Sequence, residues 1–305
     1  MKTIAFFVRN IDAEKYPFSV RDLYYHSYQE YLLAIKQAGA NVFFVTDNKT
    51  YQGNGKFNSA WSINKVSEVA NFKQVGPIVA DLIFNKGGFE GTDIPTVTDL
   101  RLHTILGNKI NMYEQFKKYQ PKSAVVHNAD ELKAALLLTS TEMAVVKNPE
   151  SNGGKQVYIG LKKSLQVPGH ETYPLLVQEF VDMSAGVKGL ANGVHDVRVL
   201  MAGNKIIGAT LRQPKAGKLH SNVSQGGTEV LLSVDQIPQE VRNMAYEIDS
   251  QLPDLPRYYA QDFAKGKNGW ILMELNKQPG LFRANNGPLA QGFINSFARY
   301  IVGLV

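Results

Sequence analysis

Residues 258–280 read YYAQDFAKGKNGWILMELNKQPG, two apolar runs joined by the turn AKGKNG. This pattern predicts the two strands of a hairpin. Asp262 ends the first run, and Glu274 and Asn276 end the second. Residues two apart in a strand share a face, so Glu274 and Asn276 project together and the neighbouring strand can bring Asp262 beside them. Two carboxylates and an amide oxygen suit Mg²⁺, and we predict a metal site here rather than a solvated sheet edge.

The composition is that of an ordinary globular protein. Of the 305 residues, 44% are hydrophobic and 20% are charged. This length predicts about two domains. The net charge is +6 at pH 7, but the 33 Lys and Arg residues are spread along the chain without a zinc finger, an RNP motif or a basic arm. The pattern does not favour nucleic acid as the principal partner and fits a small anionic ligand such as a nucleotide.

The chain contains no cysteine, which excludes thiolate catalysis, cysteine-ligated metal sites and disulfides. The N-terminal run MKTIAFFVRNID lacks the longer apolar segment of a signal peptide and predicts a first strand. No stretch approaches the roughly 18 apolar residues of a membrane span. We therefore expect a soluble, cytoplasmic protein with no membrane partner.

The first hundred residues predict a parallel α/β domain. Apolar strands are expected at 3–8, 41–46 and 81–84, with a helix at 20–38. Buried strands separated by helices indicate a parallel sheet with crossover connections. Neither G-x-G-x-x-G after a strand nor G-x-x-x-x-G-K-[ST] occurs in this part of the chain, so the two commonest phosphate-binding fingerprints are absent.

From about Asn108 onward, short strands become frequent. The expected strands are 122–126, 142–147, 175–181, 195–201, 205–211, 228–232, 258–263 and 270–275, and a further strand is expected after the glycine turn of PESNGGKQVYIG. The expected helices are 109–119, 130–138, 238–251 and 289–302. We predict an α/β domain over residues 1–105, followed by two α+β lobes over 106–182 and 183–305.

Lys147 ends the predicted strand EMAVVK and precedes the glycine turn NPESNGGK. A lysine at a strand end places a compact charge where a phosphate group could lie. Gly153 and Gly154 allow backbone N–H groups to turn toward anionic oxygens. A glycine turn alone is weak evidence, but beside a lysine it favours phosphate binding.

Asp196 and Arg198 share one face of a predicted strand, and Arg212 closes the next strand. The guanidinium group is a planar donor that suits phosphoryl oxygens. Surface ion pairing is an equally open interpretation of these residues when they are taken alone.

Taken in order, these segments resemble the ATP-grasp superfamily from about residue 108 to 279. The resemblance rests on NK, VVKNP, SNGGK, QEFV, DVRV, AGNKIIGATLRQPKAGKLHSNVSQGGT, QDF and MELNKQPG. Residues 212–227 are most similar to the branch of ribosomal-protein glutamate ligases and bacterial glutathione synthetase, with an arginine, an asparagine and a double glycine in the same order. The resemblance implies an ATP-grasp fold, in which a parallel α/β domain precedes two α+β lobes that clasp ATP.

The resemblance also implies a role for each selected residue. The ATP-binding set is Lys109, Lys147, Ser151, Asn152, Gly153, Gly154, Lys155, Gln178, Glu179, Phe180, Val181, Asp182 and Asp196. In this set Lys109 and Lys147 contact phosphates, and the loop 151–155 closes over the triphosphate. The backbone of 178–181 binds adenine. Asp196, or else Asp182, lies near the ribose or adenine. The catalytic set is Arg212, Asn222 and Arg198. The metal ligands are Asp262, Glu274 and Asn276, which are expected to hold two Mg²⁺ or Mn²⁺ ions.

The implied activity is an ADP-forming ligation of a carboxylate to an amine through an acyl phosphate. Two alternatives stay open, an ATP-dependent small-molecule kinase and a nucleotide-binding protein without turnover. The acceptor pocket is expected around residues 9–19 and 85–92 and near His220 and Asn285, with Arg9, Arg21 and Arg283 as possible carboxylate ligands. His220 stands where the glutamate-ligase branch tends to carry arginine, so the sequence leaves the carboxylate and amine substrates undefined. A homo-oligomer is possible.

Overall fold

The computed structural model describes residues 1–8, 23–63, 72–151, 156–215, 226–282 and 286–305. The strands are β1 (Thr3–Phe7), β2 (Asn41–Val45), β3 (Lys56–Phe57), β4 (Ala60–Ile63), β5 (Phe72–Val75), β6 (Ile78–Val79), β7 (Leu82–Asn85), β8 (Thr96–Val97), β9 (Ser123–Val126), β10 (Met143–Lys147), β11 (Val157–Leu161), β12 (Leu175–Glu179), β13 (Asp196–Ala202), β14 (Lys205–Gln213), β15 (Thr228–Leu232), β16 (Tyr258–Gly266) and β17 (Gly269–Asn276). The helices are α1 (Leu23–Gln37), α2 (Leu100–Gly107), α3 (Lys109–Phe116), α4 (Ala129–Leu138), α5 (Gln239–Asp249) and α6 (Pro288–Val302).

The N-terminal sheet has the strand order β5-β4-β2-β1-β7-β8. The strands β2, β1 and β7 run parallel, as the buried apolar runs predicted. The two-residue strand β8, which was not predicted, continues the parallel pairing beside β7. The strands β4 and β5 were not predicted, and they extend the sheet antiparallel beyond β2. The sheet is therefore mixed, with parallel strands at one side and an antiparallel extension at the other.

Two antiparallel sheets follow, as the resemblance implied. The central sheet has the order β11-β10-β12-β9, and the C-terminal sheet has the order β15-β14-β13-β16-β17. The fold class is thus the one predicted, a parallel α/β part followed by two α+β parts. The domain boundaries at 105 and 182 stay predictions.

The helix α3 lies between the two antiparallel sheets. Its buried residues Met112 and Phe116 belong to the same apolar cluster as Val199 and Phe263 of the C-terminal sheet. The side chain of Asn108 caps the helix, accepting from the backbone N–H groups of the first turn at 3.0 and 3.2 Å. The first residue of α3, Lys109, is consequently held at the junction of the two sheets.

The C-terminal helix α6 returns to the N-terminal sheet. Its buried residues Ile294, Phe297 and Ile301 pack in one cluster with Ile4 and Tyr31 of the first sixty residues. The two ends of the chain therefore share one hydrophobic core. In the part of the chain that the structure describes, no helix is long and apolar enough to cross a membrane.

Candidate active site

A cleft of about 910 Å³, open to solvent, lies between the central and C-terminal sheets. Its apolar end is lined by Val145, Val157, Ile159, Phe180, Val181, Met183 and Met273. Its polar end is lined by Lys109, Lys147, Ser151, Asp196, Arg212, Asp262 and Glu274. A cleft with an apolar slot and a few converging charges is the usual form of a small-molecule site.

Strand register places the polar side chains in one row. Arg198 lies opposite Asp262, and Asp262 lies opposite Glu274. One step along the sheet, Asp196 lies opposite Arg212. Directly opposite residues of antiparallel strands project from the same face. The register slips by one residue after Asp262, and such bulges often lie beside active sites.

Asp262 accepts hydrogen bonds from two arginines. Arg198 donates from Nε and Nη2 at 2.7 Å each, and Arg212 donates from Nη2 at 2.8 Å. Arg212 also donates from Nε to Asp196 at 2.6 Å. Burial by itself raises the pKa of Asp262, but the charges and hydrogen bonds of Arg198 and Arg212 outweigh it and lower the pKa to about 2. Asp262 is therefore ionised at neutral pH.

The predicted metal ligands form a consistent donor set. Glu274 is 37% exposed, with Oε1 3.5 Å from Nζ of Lys109. Asn276 Oδ1 accepts from the backbone N–H of Gln278 at 2.9 Å and keeps a second lone pair. In the described ranges, no third carboxylate or histidine joins this group. The set fits Mg²⁺, which completes its coordination with phosphate oxygens and water.

Two lysines converge on the same end of the cleft. Lys109 Nζ donates to the carbonyl oxygen of Ser151 and approaches Glu274. Lys147, the last residue of β10, is buried. Burial lowers the pKa of Lys147 to about 8, with Glu274 acting in the opposite direction and Lys109 lowering the pKa further. Two buried ammonium groups that line the same end of the cleft favour the binding of an anion there.

The remaining predicted residues are placed as follows. Gln178, Glu179, Phe180 and Val181 all line the cleft, and Gln178 donates to Ser123 at 2.9 Å. Asp196 lines the cleft, whereas Asp182 is exposed, accepts from the backbone of Ser184 and is absent from the lining. The residues outside the described ranges are Asn152, Gly153, Gly154, Lys155, Asn222, Arg9, Arg21, His220, Arg283 and Asn285.

Two residues near the cleft were missed at the sequence level. Glu171 accepts from Asn148, Gln156 and Tyr158, which flank the predicted phosphate loop. Lys86 follows β7 and donates to the carbonyl oxygen of Pro279. Nothing in the local sequence marks Glu171, because its partners are distant in the chain. The region 85–92 was expected to line the acceptor pocket, but no role was assigned to its lysine.

The order of these elements matches a known family. A family model described as the RimK-like ATP-grasp domain matches residues 109–287, which is more than half of the chain. The chain belongs to the RimK-like ATP-grasp family. The match confirms the resemblance that was predicted over residues 108–279.

Relatives of this RimK-like chain include proteins named probable alpha-L-glutamate ligase. The one from Vibrio vulnificus (strain YJ016) is 26% identical over 167 residues, covering 53% of this chain and 51% of the relative. The one from Marinomonas sp. (strain MWYL1) is 28% identical over 166 residues, with the same coverage. The chain spans about half the length of the curated relatives it matches.

Solved structures with the same fold cover nearly the whole chain. The RiPP-associated ATP-grasp ligase of Chryseobacterium gregarium, in complex with ADP and a leader and core peptide, has a TM-score of 0.61 at 11% identity and covers 97% of this chain and 96% of its own. The RimK domain protein of Sphaerobacter thermophilus DSM 20745 has a TM-score of 0.60 at 14% identity, with 97% and 98% covered. At these identities the likeness concerns the fold.

Proposed function

We propose that this protein is an ADP-forming ligase that joins a carboxylate to an amine using MgATP. One observation carries the proposal. Lys109, Lys147 and Arg212 converge with Asp262 and Glu274 at one end of a cleft whose other end is apolar. The apolar end would bind adenine and the charged end the phosphates.

The reaction would proceed in two steps. A carboxylate oxygen of the first substrate attacks the γ-phosphorus, and the bond to the β–γ bridging oxygen breaks, giving an acyl phosphate and ADP. An amine nitrogen of the second substrate then attacks the acyl carbon, loses a proton and releases inorganic phosphate. The first step needs little proton transfer, so positioning and charge neutralisation dominate the work of the protein.

The residues of the cleft would share this work. Lys109 and Lys147 would hold the phosphates, and Arg212 would stabilise charge on the transferring group. Asp262, Glu274 and Asn276 would hold Mg²⁺ or Mn²⁺, which neutralises charge on the phosphate oxygens when bound.

We infer an amino acid or a peptide as one substrate. The curated relatives are named glutamate ligases, and one solved relative is described in complex with a leader and core peptide. An amino acid or peptide would supply either the amine or the carboxylate. The metal number, the location in the cytoplasm and the oligomeric state stay predictions.

The test is a pairwise screen of amino acids and short peptides for ADP release. A ligase requires both a carboxylate and an amine before ADP accumulates. A stable phosphorylated product from a single substrate would show a kinase instead. MgATP binding without ADP release across the screen would show a nucleotide-binding protein without turnover.

Glu274→Gln should abolish turnover and leave the fold intact. The substitution keeps the shape of the side chain but removes one charge from the proposed metal site, and Glu274 is 37% exposed. The stabilisation of the protein by MgATP in a thermal melt should fall as well. Glu142→Gln, at an exposed position of the central lobe, is the matched control. Full activity of the Glu274 variant would refute the metal assignment.

A further inference from the structure

The helix α3 and the strand β17 meet beside the proposed metal ligands. In the described part of the chain, β17 ends the C-terminal sheet, with β16 as its neighbour on the inner side. The outer side of an edge strand presents a row of backbone N–H and C=O groups without a partner strand. A buried N–H group without an acceptor costs free energy, so the buried outer side of β17 requires acceptors from another element.

One such N–H group lies between two of the proposed metal ligands. The buried Leu275 stands between Glu274 and Asn276 in the sequence. Its backbone N–H donates to Sδ of Met112 in α3, with 3.0 Å between the nitrogen and the sulfur. Met112 is buried as well, so that water does not compete for this donor. The acceptor for this end of the strand is thus a side chain of α3.

The pairing of β17 with β16 is interrupted just before Glu274. Asp262 pairs with Glu274, but Phe263 pairs with Leu272, so that Met273 has no partner on β16. A bulge of this kind disrupts the ladder and bends the strand locally. The proposed ligands lie between this bulge and the end of β17. The contacts on the outer side of the strand therefore contribute to the position of this short segment.

Two residues on one face of α3 contact consecutive residues of β17. Lys109 and Met112 are three residues apart in the helix, which places them on the same face. Lys109 Nζ lies 3.5 Å from Glu274 Oε1, and Met112 Sδ accepts from the next residue of the strand. The helix is fixed at its first turn, where the backbone N–H of Lys109 donates to the carbonyl oxygen of Pro149 at 3.0 Å. The helix that carries a proposed phosphate ligand thus also contacts the backbone between two proposed metal ligands.

The thioether of Met112 can be separated experimentally from its packing. Methionine has an unbranched side chain that adapts to irregular gaps, and its sulfur is a weak hydrogen-bond acceptor. Leucine fills a similar volume but offers no acceptor, and exchanges between the two residues are well tolerated in cores. A leucine at this position therefore removes the hydrogen bond and keeps most of the apolar contact.

We propose that Met112 is a positioning residue of the proposed metal site. Its sulfur holds the backbone at Leu275 and so sets the position of the Glu274 and Asn276 oxygens. Groups behind a metal ligand commonly orient it, and their loss weakens metal binding. The proposal rests on the proposed function, because that function assigns these oxygens to Mg²⁺. It does not depend on which substrates are joined.

The hydrogen bond is tested by nuclear magnetic resonance on the protein without nucleotide or metal. Glutamate labelled with ¹³C at the carbonyl carbon, combined with ¹⁵N-leucine, selects the leucines that follow a glutamate. The sequence has two of them, Leu132 and Leu275, and Leu132→Met assigns both signals by removing one. In Met112→Leu, the amide proton of Leu275 should move upfield and exchange faster with water, because its acceptor is lost. The signal of Leu132, in α4, should stay in place.

The effect on the metal site is tested by calorimetric titration with ADP in the presence and in the absence of Mg²⁺. In Met112→Leu, the gain in ADP affinity that Mg²⁺ provides should fall about tenfold, the lower end of the range for groups behind metal ligands, because sulfur is a weak acceptor. The affinity for ADP without metal should stay unchanged. Met201→Leu is the matched control, since Met201 is buried in the same apolar cluster, and it should match the parent protein in both titrations.

Two results would overturn the proposal. The first is a Leu275 amide signal that Met112→Leu leaves unchanged, which would show that the sulfur is not its acceptor. The second is an equal loss of ADP affinity with and without Mg²⁺, or the same loss in Met201→Leu, which would assign Met112 to packing alone. A parent protein in which Mg²⁺ adds nothing to the affinity for ADP would instead refute the metal assignment of the proposed function. That result is obtained on the parent protein and is therefore distinct from the first two.

Discussion

At the residue scale, the two acidic residues predicted to hold the metal have different environments. Asp262 has a 5% exposed side chain and accepts from two arginines, whereas Glu274 is 37% exposed and lies 3.5 Å from one lysine. A buried carboxylate between two guanidinium groups balances their charge. We therefore expect Asp262 to support the fold as well as the proposed metal site, and Glu274 to act mainly in the proposed metal site.

Asp262→Asn should destabilise the protein by about 3–5 kcal/mol, because it removes the anionic partner of the largely buried Arg198 and one of the two anionic partners of Arg212. Glu274→Gln should change the free energy of unfolding by less than about 1 kcal/mol, because the group it alters is partly solvated. Denaturant unfolding of both variants measures the difference. Equal losses for the two variants would contradict this division of roles.

The same ion pairs predict that the stability of the folded protein decreases at acidic pH. The pKa of Asp262 is lowered from 3.8 to about 2 in the folded protein. The contribution of Asp262 to the free energy of unfolding is fully present above pH 3.8, the pKa of this group in the unfolded chain. It is lost as the pH falls from 3.8 toward 2. Asp262→Asn should therefore show a shallower loss of stability than the parent protein in this pH window.

At the element scale, Glu171 joins the two ends of the segment between β10 and β11. Its carboxylate accepts from Asn148 at 2.9 Å on one side, and from Gln156 at 2.9 Å and Tyr158 at 2.5 Å on the other. Burial raises the pKa of Glu171, but these hydrogen bonds lower it more, so the net pKa lies below the usual value. An ionised Glu171 thus fixes the spacing of the two strands that carry the predicted phosphate loop.

Glu171→Gln should weaken MgATP binding roughly fivefold, the equivalent of about 1 kcal/mol, because an acceptor shared by three donors is partly lost. Calorimetric titration with MgATP measures the effect. Glu142→Gln, at an exposed position of the same lobe, should bind like the parent protein. Parent-like affinity in the Glu171 variant would show that the carboxylate has no part in nucleotide binding.

At the scale of the whole molecule, α6 joins the N-terminal sheet to the C-terminal sheet. Phe297 is fully buried, with its ring centroid 4.9 Å from Tyr31, 5.0 Å from Phe84 and 4.9 Å from Tyr258. Two of these partners belong to the N-terminal part and one belongs to β16. The hydrogen bond from Lys86 of the N-terminal part to Pro279 depends on this shared core.

Phe297→Ala should lower the free energy of unfolding by about 3–5 kcal/mol, because it leaves a cavity among three aromatic rings. The exposed Tyr246, changed to alanine, is the control and should stay within about 0.5 kcal/mol. Guanidinium unfolding followed by circular dichroism measures both. A loss no larger than that of the control would show that α6 does not link the two sheets.

Most long elements of the two lobes were predictable from sequence. The strands β13 to β17 and the helices α4 to α6 were predicted with ends within a few residues, because their apolar periodicity is strong. The short strands β3 to β6 and β8 were missed, and so was the helix α2. Two-residue and four-residue strands contain too few apolar positions to show a period, and their pairing is decided by distant neighbours.

The sequence alone determined that Asp262 and Glu274 lie in one cleft, and it predicted a metal site there. Asp262, Glu274 and Asn276 were recognisable because polar residues at the ends of apolar strands have few structural uses, and the two-residue period sets their common face. The tertiary structure decided which groups meet. In the folded protein Arg198 and Arg212 donate hydrogen bonds to Asp262. Glu171 accepts from both ends of the segment between β10 and β11. Lys86 of the N-terminal part donates to Pro279, which follows the last strand. These contacts join residues far apart in the chain, and packing between sheets, which no local pattern encodes, sets their distances.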